Sequence, residues 1–200
     1  YPSFLSIINK NGDFKILREG VAENAKDLDA PIFPTDSENT IILSNKRKLY
    51  GDFNGDGLSD YATVISPEIS APANANVQSG DAVECKGGCN SVITFSSKEL
   101  KPITITGAYR SQLENLKDLN NDGADEIGFW DIKPTTKSLY IFNATNGALL
   151  TEPVVINTTV HQNLKLIDVF KKTGPYKINV TRSAQVEGKW VLKSEVIVLN

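Results

Sequence analysis

One nine-residue pattern occurs twice in this chain and constrains its fold more than any other feature. The first copy, at 52–60, reads DFNGDGLSD, and the second, at 118–126, reads DLNNDGADE. Both copies have oxygen-bearing side chains at the first, third, fifth and ninth positions and a glycine at the sixth. Ca²⁺ binds about six to eight oxygen ligands, and a tight loop turns alternate side chains toward one ion. Glycine permits the sharp turn that such a loop needs. The repeated pattern therefore predicts two calcium loops.

Each loop has four predicted side-chain ligands and one predicted main-chain ligand. In the first loop these are Asp52, Asn54, Asp56, Asp60 and the carbonyl of Leu58. In the second loop they are Asp118, Asn120, Asp122, Glu126 and the carbonyl of Ala124. The ninth position of the second loop is Glu instead of Asp, so Asp125 is an alternative ligand there and the first loop is expected to bind more tightly. The competing interpretation is two polar β-turns, because Asn, Asp and Gly dominate turns for local reasons.

An EF-hand is a second alternative, and the sequence argues against it. An EF-hand loop ends on a bidentate glutamate at its twelfth position, where this chain has Thr63 and Phe129. EF-hand loops are also flanked by helices. Here the residues that follow each loop, 61–66 and 127–130, alternate with the period of two that is typical of strands.

Calcium loops between two strands resemble those of FG-GAP and VCBS repeats, which build the β-propeller of integrin α-chains and many bacterial secreted proteins. The resemblance covers 48–66 and 113–132. It implies that each loop connects the first two strands of a four-stranded blade. The two loops begin 66 residues apart, close to the length of one blade with an insertion. A third unit at 164–181 keeps Asp168 but has lysines in place of ligands, so no ion is expected there.

Most of the remaining chain also predicts strands. A hairpin over 3–18 turns at Asn11-Gly12, a strong two-residue turn signal. A short helix is expected within 20–30, ended by Pro31. Later strands follow from apolar residues of period two: 41–43, 48–50, 61–66, 92–95, 103–105, 113–117, 127–132, 139–142, 148–156, 164–170, 176–181, 190–193 and 195–199.

The predicted fold is all-β, as one domain over 1–200. Its architecture is a small or partial β-propeller-like array of antiparallel four-stranded blades, or alternatively a β-sandwich that carries the same calcium loops. Blades need neighbours to bury their apolar faces. About three blade-like units are present, fewer than in most propellers with such repeats.

Composition and cysteines bear on the compartment. The net charge of −3 argues against a nucleic-acid partner, and no apolar run approaches the about 20 residues of a membrane span. There is no methionine, even at position 1, which favours a removed signal peptide or an artificial start. Cys85 and Cys89 are predicted to form a disulfide, the alternative being two free thiols. Calcium and oxidised cysteine belong to the same compartments, so a secreted or periplasmic protein is expected.

Three functions fit the sequence. The first is a non-enzymatic protein-interaction module with structural Ca²⁺, which would recognise an unidentified protein through the long irregular segment 67–90. The second is a periplasmic inhibitor or immunity protein that acts on a lysozyme-like cell-wall hydrolase, by family analogy alone. The third is a carbohydrate-active enzyme or a lectin that binds glycan. His161 is the single histidine and no nucleophile motif accompanies it, so no catalytic residue is assigned.

Overall fold

The computed structural model describes residues 5–10, 13–18, 47–70 and 83–199. The chain divides into two compact units, Tyr1–Ser44 and Asn45–Asn200. The described structure is all-β, with 51% strand and 3% helix, which confirms the predicted class. None of the described helices is long and apolar enough to cross a membrane.

The described residues of the first unit form an antiparallel hairpin. Strands β1 (Leu5–Lys10) and β2 (Asp13–Arg18) pair from Leu5 opposite Arg18 to Lys10 opposite Asp13. The residues between the paired ends are Asn11 and Gly12, so the hairpin predicted from this turn signal is confirmed. The helix predicted within 20–30 and the strand predicted at 41–43 lie outside the described residues.

The second unit begins with a four-stranded antiparallel sheet, called here the first sheet. Its strands follow one another in chain order: β3 (Leu49–Gly51), β4 (Asp60–Ile65), β5 (Asn90–Phe95) and β6 (Ile103–Thr106). Alternate residues are buried along β6, where Ile103 and Ile105 lie in the core between exposed threonines. One face of this sheet is therefore packed.

The second sheet has the same up-and-down order. Its strands are β7 (Ser111–Lys117), β8 (Glu126–Ile132), β9 (Thr136–Phe142) and β10 (Val154–Asn157). Strand β8 is buried at six consecutive residues because both faces of the sheet are covered. Phe129 packs in a core shared with the first sheet, and Trp130 packs in a core shared with the third. The second sheet is thus the middle layer of the unit.

The third sheet contains three antiparallel strands, β11 (Phe170–Gly174), β12 (Lys177–Val186) and β13 (Lys189–Val198). A single helical turn, α1 (Leu166–Val169), precedes it. Ile178 and Val180 of β12 are fully buried against the second sheet. The two long strands β12 and β13 pair over ten residues.

Three sequence predictions in this region were wrong. The strand predicted at 164–170 is interrupted by α1, where the carboxylate of Asp168 accepts a 2.8 Å hydrogen bond from the Lys165 N–H and begins the helical turn. Strand β10 begins only at Val154 instead of 148, since Leu149 makes only a single bridge to Phe142 and Pro153, which has no N–H to donate, precedes the strand. The strands predicted at 190–193 and 195–199 are one continuous strand.

Candidate functional site

The two predicted calcium loops occupy equivalent places in two neighbouring sheets. The first loop, 52–60, connects β3 with β4, and the second loop, 118–126, connects β7 with β8. Each therefore joins the first two strands of an up-and-down sheet. Asp60 is the first residue of β4 and Glu126 is the first residue of β8, so the ninth position of each loop is held by the start of a strand.

Asp52 organises the first loop by accepting main-chain hydrogen bonds. Its Oδ1 accepts from the N–H of Gly55 at 2.8 Å and of Asp56 at 3.1 Å, and its Oδ2 accepts from the N–H of Gly57 at 2.9 Å. Gly55 and Gly57 have φ values of 76° and 82°, which favour glycine. The first carboxylate thus folds the loop around itself.

The middle and end of the first loop present two further carboxylates. Asp56 accepts from the Asn54 amide at 2.9 Å and from the Leu58 N–H at 2.7 Å, and these bonds hold the pKa of Asp56 below its usual value. Asp60 Oδ1 accepts from the Ser96 hydroxyl at 3.1 Å. Asp60 Oδ2 is buried and has no hydrogen-bond partner among the described residues.

The second loop repeats this arrangement with more contacts to Asp122. Its Oδ1 accepts from the Ala124 N–H at 2.9 Å, and its Oδ2 accepts from the amides of Asn120 and Asn143, each at 2.9 Å. Burial raises the pKa of Asp122, but the bonds from Ala124, Asn120 and Asn143 together outweigh burial and hold it below its usual value. Asp118 Oδ2 accepts from the Gly123 N–H at 3.2 Å.

Glu126 is the one fully buried carboxylate of the two loops. Its Oε2 accepts a short hydrogen bond from the Leu119 N–H, and its Oε1 has no described partner. Burial, with the negative charges of Asp122 and Asp118, raises the pKa of Glu126 to about 7. Glu126 therefore faces the other carboxylates of its own loop, in surroundings that penalise its charge.

Asp125, the alternative ligand at this end of the loop, is directed elsewhere. Its Oδ2 accepts from the Asn115 amide at 2.7 Å and from the Asp52 N–H at 3.3 Å. Asn115 also donates to the Tyr50 carbonyl at 3.0 Å. Asp125 thus connects the two loops. Glu126 is therefore the side chain that remains as the candidate ligand for the ninth position.

The backbones of the two loops lie against each other. A Cβ atom built on Gly55 would lie 3.4 Å from the main chain of Gly123 and Ala124. A Cβ atom built on Gly51 would lie 2.3 Å from the Asn115 amide nitrogen, so a side chain at this position would have to displace Asn115. The positive φ explains the glycine at position 55, and the contact with Asn115 explains the glycine at position 51.

Three buried carboxylate oxygens in the loops have no hydrogen-bond partner among the described residues: Asp60 Oδ2, Asp118 Oδ1 and Glu126 Oε1. An unpaired buried carboxylate oxygen is costly, and native structures rarely keep one without a compensating group. Side-chain and main-chain oxygens with no nitrogen or sulfur ligand suit a hard cation such as Ca²⁺. No group of three or more His, Cys, Asp or Glu side chains in the described part of the chain has the spacing of a metal site. The loop carboxylates are instead mostly turned toward N–H donors.

Three polar side chains that hydrogen-bond to the loops could not be identified from the sequence. Ser96 follows β5, Asn115 lies within β7 and Asn143 follows β9. They reach loop residues over 36, 10 and 21 residues of chain respectively. No local pattern marks them, because the sheet pairing alone brings them to the loops.

The described ends of the 67–90 segment are tied together. The main-chain N–H of Ser70 donates to the Glu84 carbonyl at 2.8 Å, and that of Lys86 donates to the Glu68 carbonyl at 2.9 Å. Cys85 and Cys89 are joined by a disulfide, as the sequence predicts. The segment is therefore closed by a short two-stranded neck, and its central residues, 71–82, lie outside the described part.

Two other features bear on the alternative functions. His161 Nδ1 lies 2.8 Å from Ser183 Oγ, which also accepts from the Asn157 N–H at 2.9 Å, so the serine is held by the backbone. A cleft of about 480 Å³ between the first and second sheets is lined by Arg47, Lys48, Leu49, Val64, Ser111, Gln112, Leu113 and Glu114. None of these lining residues is an aromatic platform of the kind that favours a sugar ring.

Comparison with protein-family models, with curated proteins and with solved structures finds no match to this chain. The resemblance to FG-GAP and VCBS repeats therefore rests on the two loop motifs. The calcium ligands, the partner and the compartment remain predictions from the sequence.

Proposed function

We propose that this chain is a non-enzymatic, calcium-stabilised protein-interaction module that works in the extracellular or periplasmic space. The observation that carries the proposal is the pair of unpartnered oxygens in the second loop, Asp118 Oδ1 and Glu126 Oε1. They belong to a loop whose sequence pattern independently predicts calcium ligands. A bound cation would supply the missing partner for both.

Charge balance supports a structural ion at the second loop. Burial of Glu126, together with the negative charges of Asp122 and Asp118, raises the pKa of Glu126, so uncompensated negative charge surrounds this side chain. A divalent cation would neutralise two of these charges and remove the reason for Glu126 to hold a proton. The Asn120 side chain and the Ala124 carbonyl would complete an all-oxygen site.

The finer architecture that we propose is a partial β-propeller. The first and second sheets are both four-stranded meanders that carry the loop at the same place. The second sheet is packed on both faces, as a blade between two neighbours would be. A simple two-sheet sandwich accounts less well for a sheet that is buried on both sides.

We assign partner recognition to the 67–90 segment. The calcium loops already use their oxygens on main-chain N–H groups and on the proposed ions, so they have few left for a partner. The neck that closes 67–90, with its disulfide at Cys85 and Cys89, would hold this insertion in place on the first sheet. Loops on rigid scaffolds commonly carry binding.

Capture experiments with the calcium-loaded protein test this function. The bait is compared with a variant in which 71–82 is replaced by a short Gly-Ser linker, so that the neck and the disulfide are retained. We expect the variant to keep its calcium response, because loop length changes stability slowly, and to lose a protein captured from cell-envelope extracts. A cell-wall hydrolase among the captured proteins would narrow the function to inhibition. Equal capture by both proteins would contradict this assignment.

A further inference from the structure

Strand β13 forms the outer edge of the third sheet. It pairs with β12 from Lys177 opposite Val198 to Val186 opposite Lys189, and no described strand pairs with its other edge. An open edge presents a row of unpaired N–H and C=O groups, which is a template for another strand. Natural edge strands are usually short, bulged or interrupted by proline. Strand β13 is ten residues long, and its register with β12 has no shift.

The side chains of this edge are unusually apolar for a solvent-facing strand. Five large apolar residues of β13 are between 38% and 64% exposed: Trp190, Val191, Leu192, Val196 and Val198. The strand also carries one opposite-charge pair in its centre, Lys193 and Glu195. Glu195 already forms an ion pair with Arg182 of β12, with 2.7 Å between the carboxylate oxygen and the guanidinium nitrogen.

The hairpin turn determines which main-chain groups point to the open edge. Glu187 and Gly188 form the two-residue turn, with φ values of 50° and 77°. In such a turn the closing pair, Val186 with Lys189, is hydrogen-bonded, and the pairs then alternate along the strand. Ser194 falls in a pair that is not hydrogen-bonded to β12, so its N–H and C=O point outward. The 2.8 Å contact between the hydroxyls of Ser194 and Thr181 fits the closer side chains of that kind of pair.

The same alternation limits how β13 could pair with a second β13. Two residues that exchange hydrogen bonds across the new edge must both have outward-pointing N–H and C=O groups, so even-numbered residues pair with even-numbered ones. In an antiparallel pair of identical strands, one residue therefore lies opposite its own copy, and this residue defines the centre of the register. Centring on Lys193 sets two lysines face to face, and centring on Glu195 sets two glutamates face to face. Like charges directly opposite are destabilising.

Centring on Ser194 removes both conflicts. Lys193 then faces Glu195 of the second copy, and the reverse pair forms by symmetry. The apolar residues also face one another: Leu192 with Val196, Val191 with Ile197, and Trp190 with Val198. Among the three central registers, this one matches every charged and apolar position.

We propose that two copies of this chain associate through the open edge of β13, antiparallel and centred on Ser194, to form a continuous six-stranded sheet. The contact is isologous, because the same patch serves both copies around a two-fold axis. Each Glu195 then lies between Arg182 of its own chain and Lys193 of the second copy. The proposal does not depend on calcium binding.

A charge-sorting experiment tests the pairing. Lys193→Glu and Glu195→Lys each set like charges opposite in both symmetric pairs, so each variant alone should dimerise about tenfold more weakly than the wild type. An equal mixture of the two variants restores both opposite-charge pairs and should form a heterodimer. Sedimentation equilibrium over a wide concentration range measures the association of the wild type, of each variant alone and of the mixture. Circular dichroism verifies that each variant is folded. A wild type that stays monomeric at every concentration, or a mixture that associates no better than its components, would overturn the proposal.

Disulfide trapping tests the register separately. A Lys193→Cys chain mixed with a Glu195→Cys chain should cross-link under mild oxidation, since these positions are directly opposite. Either variant alone should not, because diagonal neighbours are about 7–8 Å apart and too far for a disulfide. Equal cross-linking in the single-variant samples would rule out the register centred on Ser194. Ser194→Pro removes the outward N–H as well as the hydroxyl contact with Thr181 and should weaken the dimer, whereas Ser194→Ala removes the hydroxyl alone and should not.

Discussion

The main-chain N–H of Asp125 donates a 2.6 Å hydrogen bond to the carbonyl of Asp52. In return, the Asp52 N–H donates to the Asp125 carboxylate at 3.3 Å. These bonds join the last turn of the second loop to the first residue of the first loop. The two candidate calcium loops are therefore one connected structure, although they belong to different sheets.

This connection predicts that calcium binding to the two loops is coupled. Asp125→Ala removes the side-chain contacts with Asp52, Asn115 and Lys117 and leaves Glu126, the ligand proposed for the ninth position, in place. We expect the variant to bind calcium with less cooperativity and to lose stability in the presence of calcium. Calorimetric titration measures the first effect and thermal unfolding the second. Glu152→Ala, which removes an exposed carboxylate that makes no side-chain contact with either loop, is the matched control. An Asp125→Ala titration that matches this control would contradict the coupling.

The contacts of Asp122 lead us to expect the opposite ranking of the two loops from the one that the sequence suggests. The sequence favours the first loop because Asp60 fits the repeat pattern. In the structure, Asp56 is exposed and accepts from Asn54 and Leu58, whereas Asp122 also accepts from Asn143 beyond β9. Hydrogen bonds to charged groups contribute about 1.5–3 kcal/mol each. We expect Asp122→Ala to lower the melting temperature in calcium more than Asp56→Ala does, and the opposite order would restore the sequence-based ranking.

The raised pKa of Glu126 predicts that the stability of the calcium-free protein depends on pH in an unusual way. Its pKa is raised from its usual 4.5 to about 7, so between these values the folded chain holds a proton that the unfolded chain releases. The free energy of unfolding should therefore fall as the pH rises through this window, by at most on the order of 3 kcal/mol. Glu126→Gln should remove this fall, and saturating calcium should oppose it. Denaturant unfolding at several pH values measures it. Equal slopes for wild type and variant would show that Glu126 does not titrate in this range.

Reduction of the Cys85–Cys89 disulfide should change stability very little. The bond closes a very short loop, and cross-links of short loops constrain the unfolded chain least. Thermal unfolding with and without a reductant should agree within about 4 °C if the loss is below about 1 kcal/mol. The Cys85→Ser/Cys89→Ser double variant is the control for side effects of the reductant. A large loss in both samples would show that the neck of 67–90 supports the core.

Local sequence signals account for much of this fold. Asn11-Gly12 predicts the first hairpin, and the period of two that flanks each loop predicts β4 and β8. Alternating apolar and polar residues indicate a strand that is buried on one face only. The burial of β8 on both faces could therefore not be predicted from its sequence. Residues 166–169 are too short for their apolar pattern to separate a strand from a helical turn.

The candidate site was only partly visible in the sequence. The spacing of the D-x-N-x-D-G pattern identifies the loops, but Asp125 and Glu126 look interchangeable in it. The pairing of β7 with β8 decides between them, because Asp125 falls toward Asn115 and Glu126 toward Leu119. Asn143 and Ser96 join the loops through sheet topology, which no window of nearby residues contains.

The number of calcium ions bound per chain tests the central claim most directly. Native mass spectrometry of protein first stripped with a chelator and then titrated with calcium counts them. The structure and the repeated pattern predict two ions for the wild type, one for Asp52→Ala and one for Asp118→Ala. Magnesium should bind far less well, because Mg²⁺ demands near-ideal octahedral geometry and gives up its water reluctantly. A wild-type chain that binds no calcium at millimolar concentration, or that binds calcium unchanged in both variants, would contradict the account.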